Sequence, residues 1–207
     1  MKYIIFDFNG TILDDVDVGI KSINILIEKY LHRSQMTREE YLNIFDFPVK
    51  DYYAKVGFDF NQMSFQKIGR EWVDYYESFK NEYTLIDGVE EILCDNLRKG
   101  YKNIILSASQ VDNLTRQCQE LGITQYFDDI LGINDIYAGS KEGIARKWIA
   151  DKNPQDCFLI GDTIHDAEVA KAINVHYALV AKGHQSKNRL EAYTKYVYDD
   201  IREVRYV

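Results

Sequence analysis

Two rhythms of hydrophobic and polar residues divide this chain. Tyr3 to Phe8 is a short apolar, β-prone run that breaks at Asn9-Gly10, as a buried strand does on entering a turn. From about Val16 to Asn81 the spacing is helical instead. Val18, Ile20, Ile23, Ile27, Tyr30 and Leu31 recur on one face, Thr37 and Glu40 have capping-box spacing, and Ile68, Trp72, Tyr75, Tyr76 and Phe79 form a further stripe. This block predicts about four helices and no strand.

After Tyr83 the two rhythms alternate. Helices are expected from about Val89 to Lys99, Gln110 to Leu121, Lys141 to Asp151 and Ile164 to Ile173. Strands are expected at Asn103 to Ser107, Asp129 to Ile133, Asp156 to Ile160 and Val175 to Val180, with a last short one near Tyr196 to Tyr198. Such alternation implies parallel βαβ units, so the fold class is α/β: a Rossmann-like parallel sheet covered by helices on both faces. The helical block then reads as an all-helical cap inserted after the first strand. The expected division is residues 1–15 with 82–207 as catalytic core, and 16–81 as cap.

Ligands of such sheets bind beyond the carboxyl ends of the strands, and the residues predicted there share one chemistry. Asp7 and Asn9 follow the first strand, Ser107 ends the second, Lys141 opens the helix after the third, and Gly161-Asp162-Thr163-Ile164-His165-Asp166 follows the fourth. Three carboxylates, a lysine, hydroxyls and helix N-termini are the groups that a magnesium-bound phosphate needs.

Composition narrows the partner. Among 207 residues, 25 Lys and Arg stand against 33 Asp and Glu, a net charge of −8 that argues against nucleic acid as a partner but leaves small phosphorylated metabolites open. The 46% hydrophobic content is in the globular range. Cys94, Cys118 and Cys157 are odd in number and widely spaced, which predicts core thiols in a reducing compartment rather than disulfides or a zinc site. The N-terminal run turns acidic at Asp7 and no apolar stretch is long enough for a bilayer, so a cytoplasmic protein without a membrane partner is expected. Oligomeric state has no signature in the sequence.

The order of these motifs resembles the haloacid dehalogenase superfamily of aspartate-nucleophile hydrolases, in particular its phosphoglycolate phosphatase-like branch with a helical cap. The resemblance spans essentially the whole chain: Asp7 to Thr11, the helical insert, Ser107, Lys141, then Gly161-Asp162 with Asp166. It implies a Mg2+-dependent phosphatase of small phosphomonoesters. Asp7 would be the nucleophile and form an aspartyl-phosphate, with Mg2+ held by Asp7, the Asn9 carbonyl, Asp162 and Asp166. Ser107 and Lys141 would be catalytic, and phosphate would meet Asn9, Gly10, Ser107, Ala108 and Lys141. The branch often has Lys-Pro where this chain has Lys141-Glu142. Lys147 follows on the same helix but points away from the crevice, which favours Lys141.

One departure bears on the chemistry. Phosphatases of the family carry Asp two residues after the nucleophile, where it protonates the leaving oxygen; this chain has Asn9, which cannot shuttle a proton at neutral pH. General acid–base catalysis is worth about 10²–10⁴-fold. The change admits a phosphatase for good leaving groups such as acyl or aryl phosphates, a phosphate-binding or regulatory protein with little catalysis, or a phosphonatase- or dehalogenase-like hydrolase. A phosphonatase would need a cap lysine, for which Lys21, Lys50 and Lys55 are present. In the first case Asn9→Asp is expected to raise turnover. The aromatic residues Tyr52, Tyr53, Phe58, Phe60, Trp72, Tyr75 and Tyr76 are expected mainly as cap core, with pocket lining as the alternative. The acidic run Asp14-Asp15-Val16-Asp17 is expected to be solvated charge at a helix N-terminus. Thr11 is expected to brace the nucleophile loop, and His165 to sit behind the site.

Overall fold

The computed structural model describes residues 1–137 and 140–206. Strand β1 (Lys2–Phe6) leads through a tight loop and a two-residue strand, β2 (Leu13–Asp14), into helices α1 (Val16–Leu26), α2 (Arg38–Ile44), α3 (Val49–Val56) and α4 (Phe65–Ser78). Strand β3 (Thr84–Leu85) returns antiparallel to β2 and closes the helical insert at its neck. Then follow α5 (Val89–Arg98), β4 (Lys102–Gln110), α6 (Val111–Glu120), β5 (Phe127–Ile133) and α7 (Glu142–Lys152). The chain finishes with β6 (Asp156–Gly161), α8 (Ile164–Ala172), β7 (His176–Val180), α9 (Lys187–Tyr193) and β8 (Val197–Tyr198).

The sheet runs β5-β4-β1-β6-β7-β8, and every pairing is parallel. Alternate residues of β1 explain why helices cover both faces. Ile4 and Phe6 pack with Val89 and Leu93 of α5 and Leu114 and Cys118 of α6. Ile5 points the other way, onto Ala145 and Trp148 of α7 and Val169 and Ala170 of α8. Phe6 is fully buried, and truncating such a ring to Ala costs about 3–5 kcal/mol. Because β1 lies between β4 and β6, the chain winds outward in opposite directions on its two sides. The crevice at its carboxyl end is therefore the topological switch point.

The insert has its own apolar cluster, built from Ile23, Leu26 and Ile27 with Tyr41, Tyr53, Val56 and Ile68. Thr37 and Glu40 form the expected capping box at the start of α2. Helix α1 stops at Leu26 and continues as a π-helical turn, Ile27–Leu31, which ends at a left-handed His32.

Several expectations are revised. The first strand ends at Phe6, since the Phe8 carbonyl accepts N–H bonds from Thr11, Ile12 and Leu13 and turns the chain there. Strand β4 runs on past Ser107 to Gln110, with a register irregularity between Leu106 and Gln110, so Ser107 sits within the strand rather than ending it. The short β2–β3 pair and α9 carry too few residues to show a period. Cys118 and Cys157 are buried and Cys94 is half-buried, and all three are free thiols. Among the described residues no helix is long and apolar enough to cross a membrane.

Candidate active site

The strand-end residues converge. Asp7 lies just beyond β1, Asp162 just beyond β6, Asp166 in the first turn of α8, and Lys141 at the N-terminus of α7. Ligand oxygens of Asp7, Asp162 and Asp166 lie within 4.8 Å of one another. The Lys141 ammonium, 2% exposed, bonds to Asp7, donates to the Leu106 carbonyl at 3.0 Å and stands 2.6 Å from Asp166 Oδ1. Lys147 is exposed and pairs with Asp151.

Each carboxylate is fixed differently. Asp166 Oδ2 accepts from the N–H groups of Asp162 (3.2 Å) and Thr163 (2.9 Å) and from the Thr163 hydroxyl (2.7 Å), while its Oδ1 faces the Lys141 ammonium. Asp162 accepts from the Thr11 hydroxyl at 3.1 Å and the His184 N–H at 2.6 Å. Gly183 brings that backbone close, since a Cβ there would overlap the Asp162 carboxylate.

Burial raises the Asp162 carboxyl to about 6, and burial with the neighbouring Asp166 and Asp162 charges raises Asp7 well above its ordinary value despite Lys141. Burial would raise Asp166, but Lys141 and the Thr163 hydroxyl together lower it; Lys141, which burial would lower, is raised by Asp166 and Asp7. Three carboxylates facing one lysine leave an excess negative charge that suits a divalent cation.

A second buried network stands beside the first. Asp15 is 2% exposed, and its carboxylate accepts from Asn9 Nδ2 (2.8 Å), the Gly10 N–H (3.0 Å) and the Tyr76 hydroxyl (2.7 Å). His184 reaches Asp15 through Nε2 at 3.2 Å and the Tyr41 hydroxyl through Nδ1 at 2.8 Å. Burial alone would lower His184, but Asp15 raises it to about 9, so the pair is charged at neutral pH. The solvated-charge expectation for the acidic run is thus corrected at Asp15: apolar Leu13 and Val16 carry this stretch inward, and only Asp14 and Asp17 remain exposed.

The Asn9 side chain is held at both its nitrogen and its oxygen. Its Nδ2 also reaches the Tyr76 hydroxyl at 3.1 Å, and its Oδ1 accepts from Ser109 Oγ at 2.8 Å. Gly10 is not among the described residues lining the crevice, and its N–H goes to Asp15 and the Leu13 carbonyl. Its φ of +74° and the Asp162 carboxylate packed against it are what require glycine. Ser107 Oγ accepts from the Ser109 N–H at 3.0 Å, leaving its proton to point elsewhere, and Ala108 lines the crevice beside it.

The insert covers this floor, enclosing a cavity of about 150 Å³. Tyr52, Tyr53, Trp72 and Tyr76 line it together with Tyr41, Phe45, Phe47 and Phe65; Phe58, Phe60 and Tyr75 pack within the insert instead. The aromatic set therefore divides between core and lining. His165 stacks on Phe47 of the insert with centroids 4.9 Å apart, outside the cavity. Among the described lining residues Lys141 is the only amine; Lys21 and Lys55 pair with Glu82 and Asp46 at the surface.

Asp15 and His184 are the residues that sequence reasoning missed. His184 follows β7 by four residues, so the strand-end rule applied to that strand would have marked it. Asp15 carries no such signal, because a carboxylate in an acidic run looks solvated whether or not the chain turns inward.

Comparisons with known proteins agree with this geometry. Residues 4–180 match the profile of the haloacid dehalogenase-like hydrolases. The pyrophosphatase PpaX of Listeria monocytogenes is 23% identical over 180 residues, covering 81% of this chain and 77% of that protein. PpaX of Bacillus velezensis is 23% identical over 198 residues, covering 92% and 88%. A haloacid dehalogenase-like hydrolase from Streptococcus pneumoniae, SP0104, superposes with a TM-score of 0.79 at 21% identity, over 96% of this chain and 93% of that one. With the profile spanning most of its length, the chain belongs to the haloacid dehalogenase-like hydrolases.

Proposed function

We propose that this protein is a Mg2+-dependent phosphatase of small phosphomonoesters that works through an aspartyl-phosphate on Asp7, with residues 16–81 acting as a cap over a core formed by 1–15 and 82–207. The observation that carries the reading is the meeting of Asp7, Asp162, Asp166 and Lys141 in one buried crevice.

The donor set fits the metal. Asp166 Oδ1 meets Lys141 alone, and the raised Asp7 and Asp162 carboxyls mark negative charge that this one lysine, shared with Asp7, does not offset. Asp7, Asp162, Asp166 and the Asn9 carbonyl would hold the ion. When bound, magnesium supplies positive charge against the repulsion between Asp7 and the phosphoryl oxygens.

The chain's own groups do the rest. Asp7 attacks phosphorus, the phosphorus–oxygen bond to the leaving group breaks, and water then attacks the acyl phosphate at phosphorus to return the carboxylate. Lys141 orients Asp7 through its ion pair and offers charge to a phosphoryl oxygen. The Ser107 hydroxyl and the backbone at Ala108 complete the phosphate cradle. Asn9 carries no proton to give, and its amide is tied to Asp15, Tyr76 and Ser109. The leaving oxygen therefore departs with its charge, which favours substrates with acidic leaving groups. Acyl and aryl phosphates fit that requirement, as does the phosphoric anhydride in the name of the PpaX relatives.

The test is phosphate release from acetyl and phenyl phosphate with Mg2+, together with intact-mass detection of phosphate on Asp7. Turnover that survives Asp7→Asn would refute the nucleophile. Retained Mg2+ and phosphate binding without any turnover would favour a binding protein, the reading to which the locked Asn9 amide points.

A further inference from the structure

Floor and wall of the cavity have opposite characters, and the wall bears on the leaving group. Besides the carboxylates, the floor supplies the cavity's two cationic side chains, Lys141 and His184, and each is already matched, with Asp7 and Asp166 in one case and Asp15 in the other. The insert contributes aromatic rings, Val49 and Val73, and one charged residue, Glu77, whose carboxylate is bonded to Arg116 at 2.6 Å. None of the insert's six lysines is among the described lining residues, and Lys21, Lys29 and Lys55 sit in surface ion pairs. A carboxylate carried on the leaving group away from the scissile oxygen would thus be stripped of water against ring faces, which are themselves partly negative, with no countercharge among the described residues of the wall.

One further observation bears on the occupant. Tyr52, 2% exposed, lines it and carries a buried hydroxyl with no hydrogen-bond partner, a group that a native interior seldom leaves unmet. It suits a ligand that brings a polar atom to the wall as well as apolar surface.

Building on the phosphatase reading of the floor, we propose that the cavity takes phosphate monoesters of uncharged aromatic alcohols and discriminates against leaving groups that carry a carboxylate in addition to the scissile oxygen. An aryl leaving group also suits Asn9, because a phenolate departs without a general acid far more readily than an alkoxide. The wall and position 9 thus select for the same chemistry from two sides.

Calorimetric binding to the Mg2+-loaded protein tests this without turnover. Phenylphosphonate is expected to bind at least tenfold tighter than methylphosphonate, 4-carboxyphenylphosphonate or phosphonoacetate. Equal or tighter binding of either carboxylate-bearing ligand, or no gain from the ring over the methyl group, overturns the proposal. Asn113→Lys, which adds an amine to the lining on α6, should narrow the gap between the two phenyl ligands at least threefold. A gap that does not move would mean exclusion by shape and would overturn the charge argument. Failure of the phosphatase reading is separate: hydrolysis that persists in Asp7→Asn defeats that reading while leaving these affinities standing.

Discussion

The floor of the cavity and its wall are made of the same chain under different rules. On the floor nearly every polar atom is held by another: Asp166 by Thr163 and two backbone N–H groups, Asp162 by Thr11 and His184, Asn9 by Asp15, Tyr76 and Ser109. The wall is aromatic and leaves the Tyr52 hydroxyl without a partner. A pre-organised polar floor suits a group that is the same in every substrate, the phosphoryl, because fixed dipoles need no rearrangement as charge develops. A wall of rings discriminates by shape and charge, and so acts on the part of the substrate that varies. Chemistry and selectivity are therefore separable here, and mutations on each side should fail in different ways.

Asp7→Asn should break the floor outright. Phosphate release from acetyl and phenyl phosphate is expected to fall by at least about 10³-fold, as when a nucleophile is removed elsewhere, while phenylphosphonate still binds. A loss of binding alone would erase the distinction between floor and wall.

Removing the metal should come next. Chelation is expected to abolish turnover reversibly, and Mg2+ affinity should fall as pH drops through about 6, by about tenfold per pH unit or more, since protons compete for Asp162, raised to about 6 by burial, and for Asp7, raised as well. The sign for the metal-free protein is the reverse. A carboxyl raised above its unfolded value of about 3.9 takes stability away as pH climbs from there to 6, and Mg2+ should restore it. Thermal shifts at pH 5 and 7, with and without Mg2+, check both.

The floor was legible in sequence for a reason the wall was not. Asp7, Lys141 and Asp162 each lie at or beside a strand end or helix start, and those positions can be located from hydrophobic period alone, as can Ser107 at the end of the apolar run of β4 although the strand itself continues to Gln110. The same rule covers His184 after β7, where it was not applied. In the wall, spacing carries no such information: Tyr52 lines the cavity and Phe58 packs inside the insert, yet both are aromatic residues in the same helical block. Asp15 lay beyond reach for a further reason. Neighbouring Asp14 is exposed, and the one-residue difference that buries Asp15 is set by the turn closing on the Phe8 carbonyl and by the β2–β3 pair, neither of which leaves a periodic trace.

Position 9 sharpens the comparison, because there the floor forbids the residue that its chemistry would seem to want. In Asn9→Asp a carboxylate oxygen replaces the donor 2.8 Å from Asp15, turning a hydrogen bond into a repulsion inside a buried network. The single variant is expected to lose about 1–3 kcal/mol in chemical denaturation, which limits any gain in turnover. Pairing it with Asp15→Asn restores a donor opposite the new acid. The double variant should regain stability and hydrolyse alkyl phosphates at least about tenfold faster than wild type, within the range that general acid catalysis supplies. If the single variant is as stable as wild type, Asp15 does not hold Asn9 in the way the geometry implies.

The smallest effect belongs to the wall. Trp72 stacks on Tyr76 with centroids 5.0 Å apart and lines the cavity from α4. Trp72→Leu keeps the site apolar but removes an aromatic face, and a ring contact of this kind is worth about 0.5–1.5 kcal/mol. The expected result is a KM for phenyl phosphate raised about twofold to tenfold, with the loss sitting mainly in KM, because the contact is made equally in ground and transition states. A loss confined to kcat would instead mean that Trp72 acts through Tyr76 on Asp15 and Asn9, joining it to the floor and moving the boundary between chemistry and selectivity one ring further into the insert.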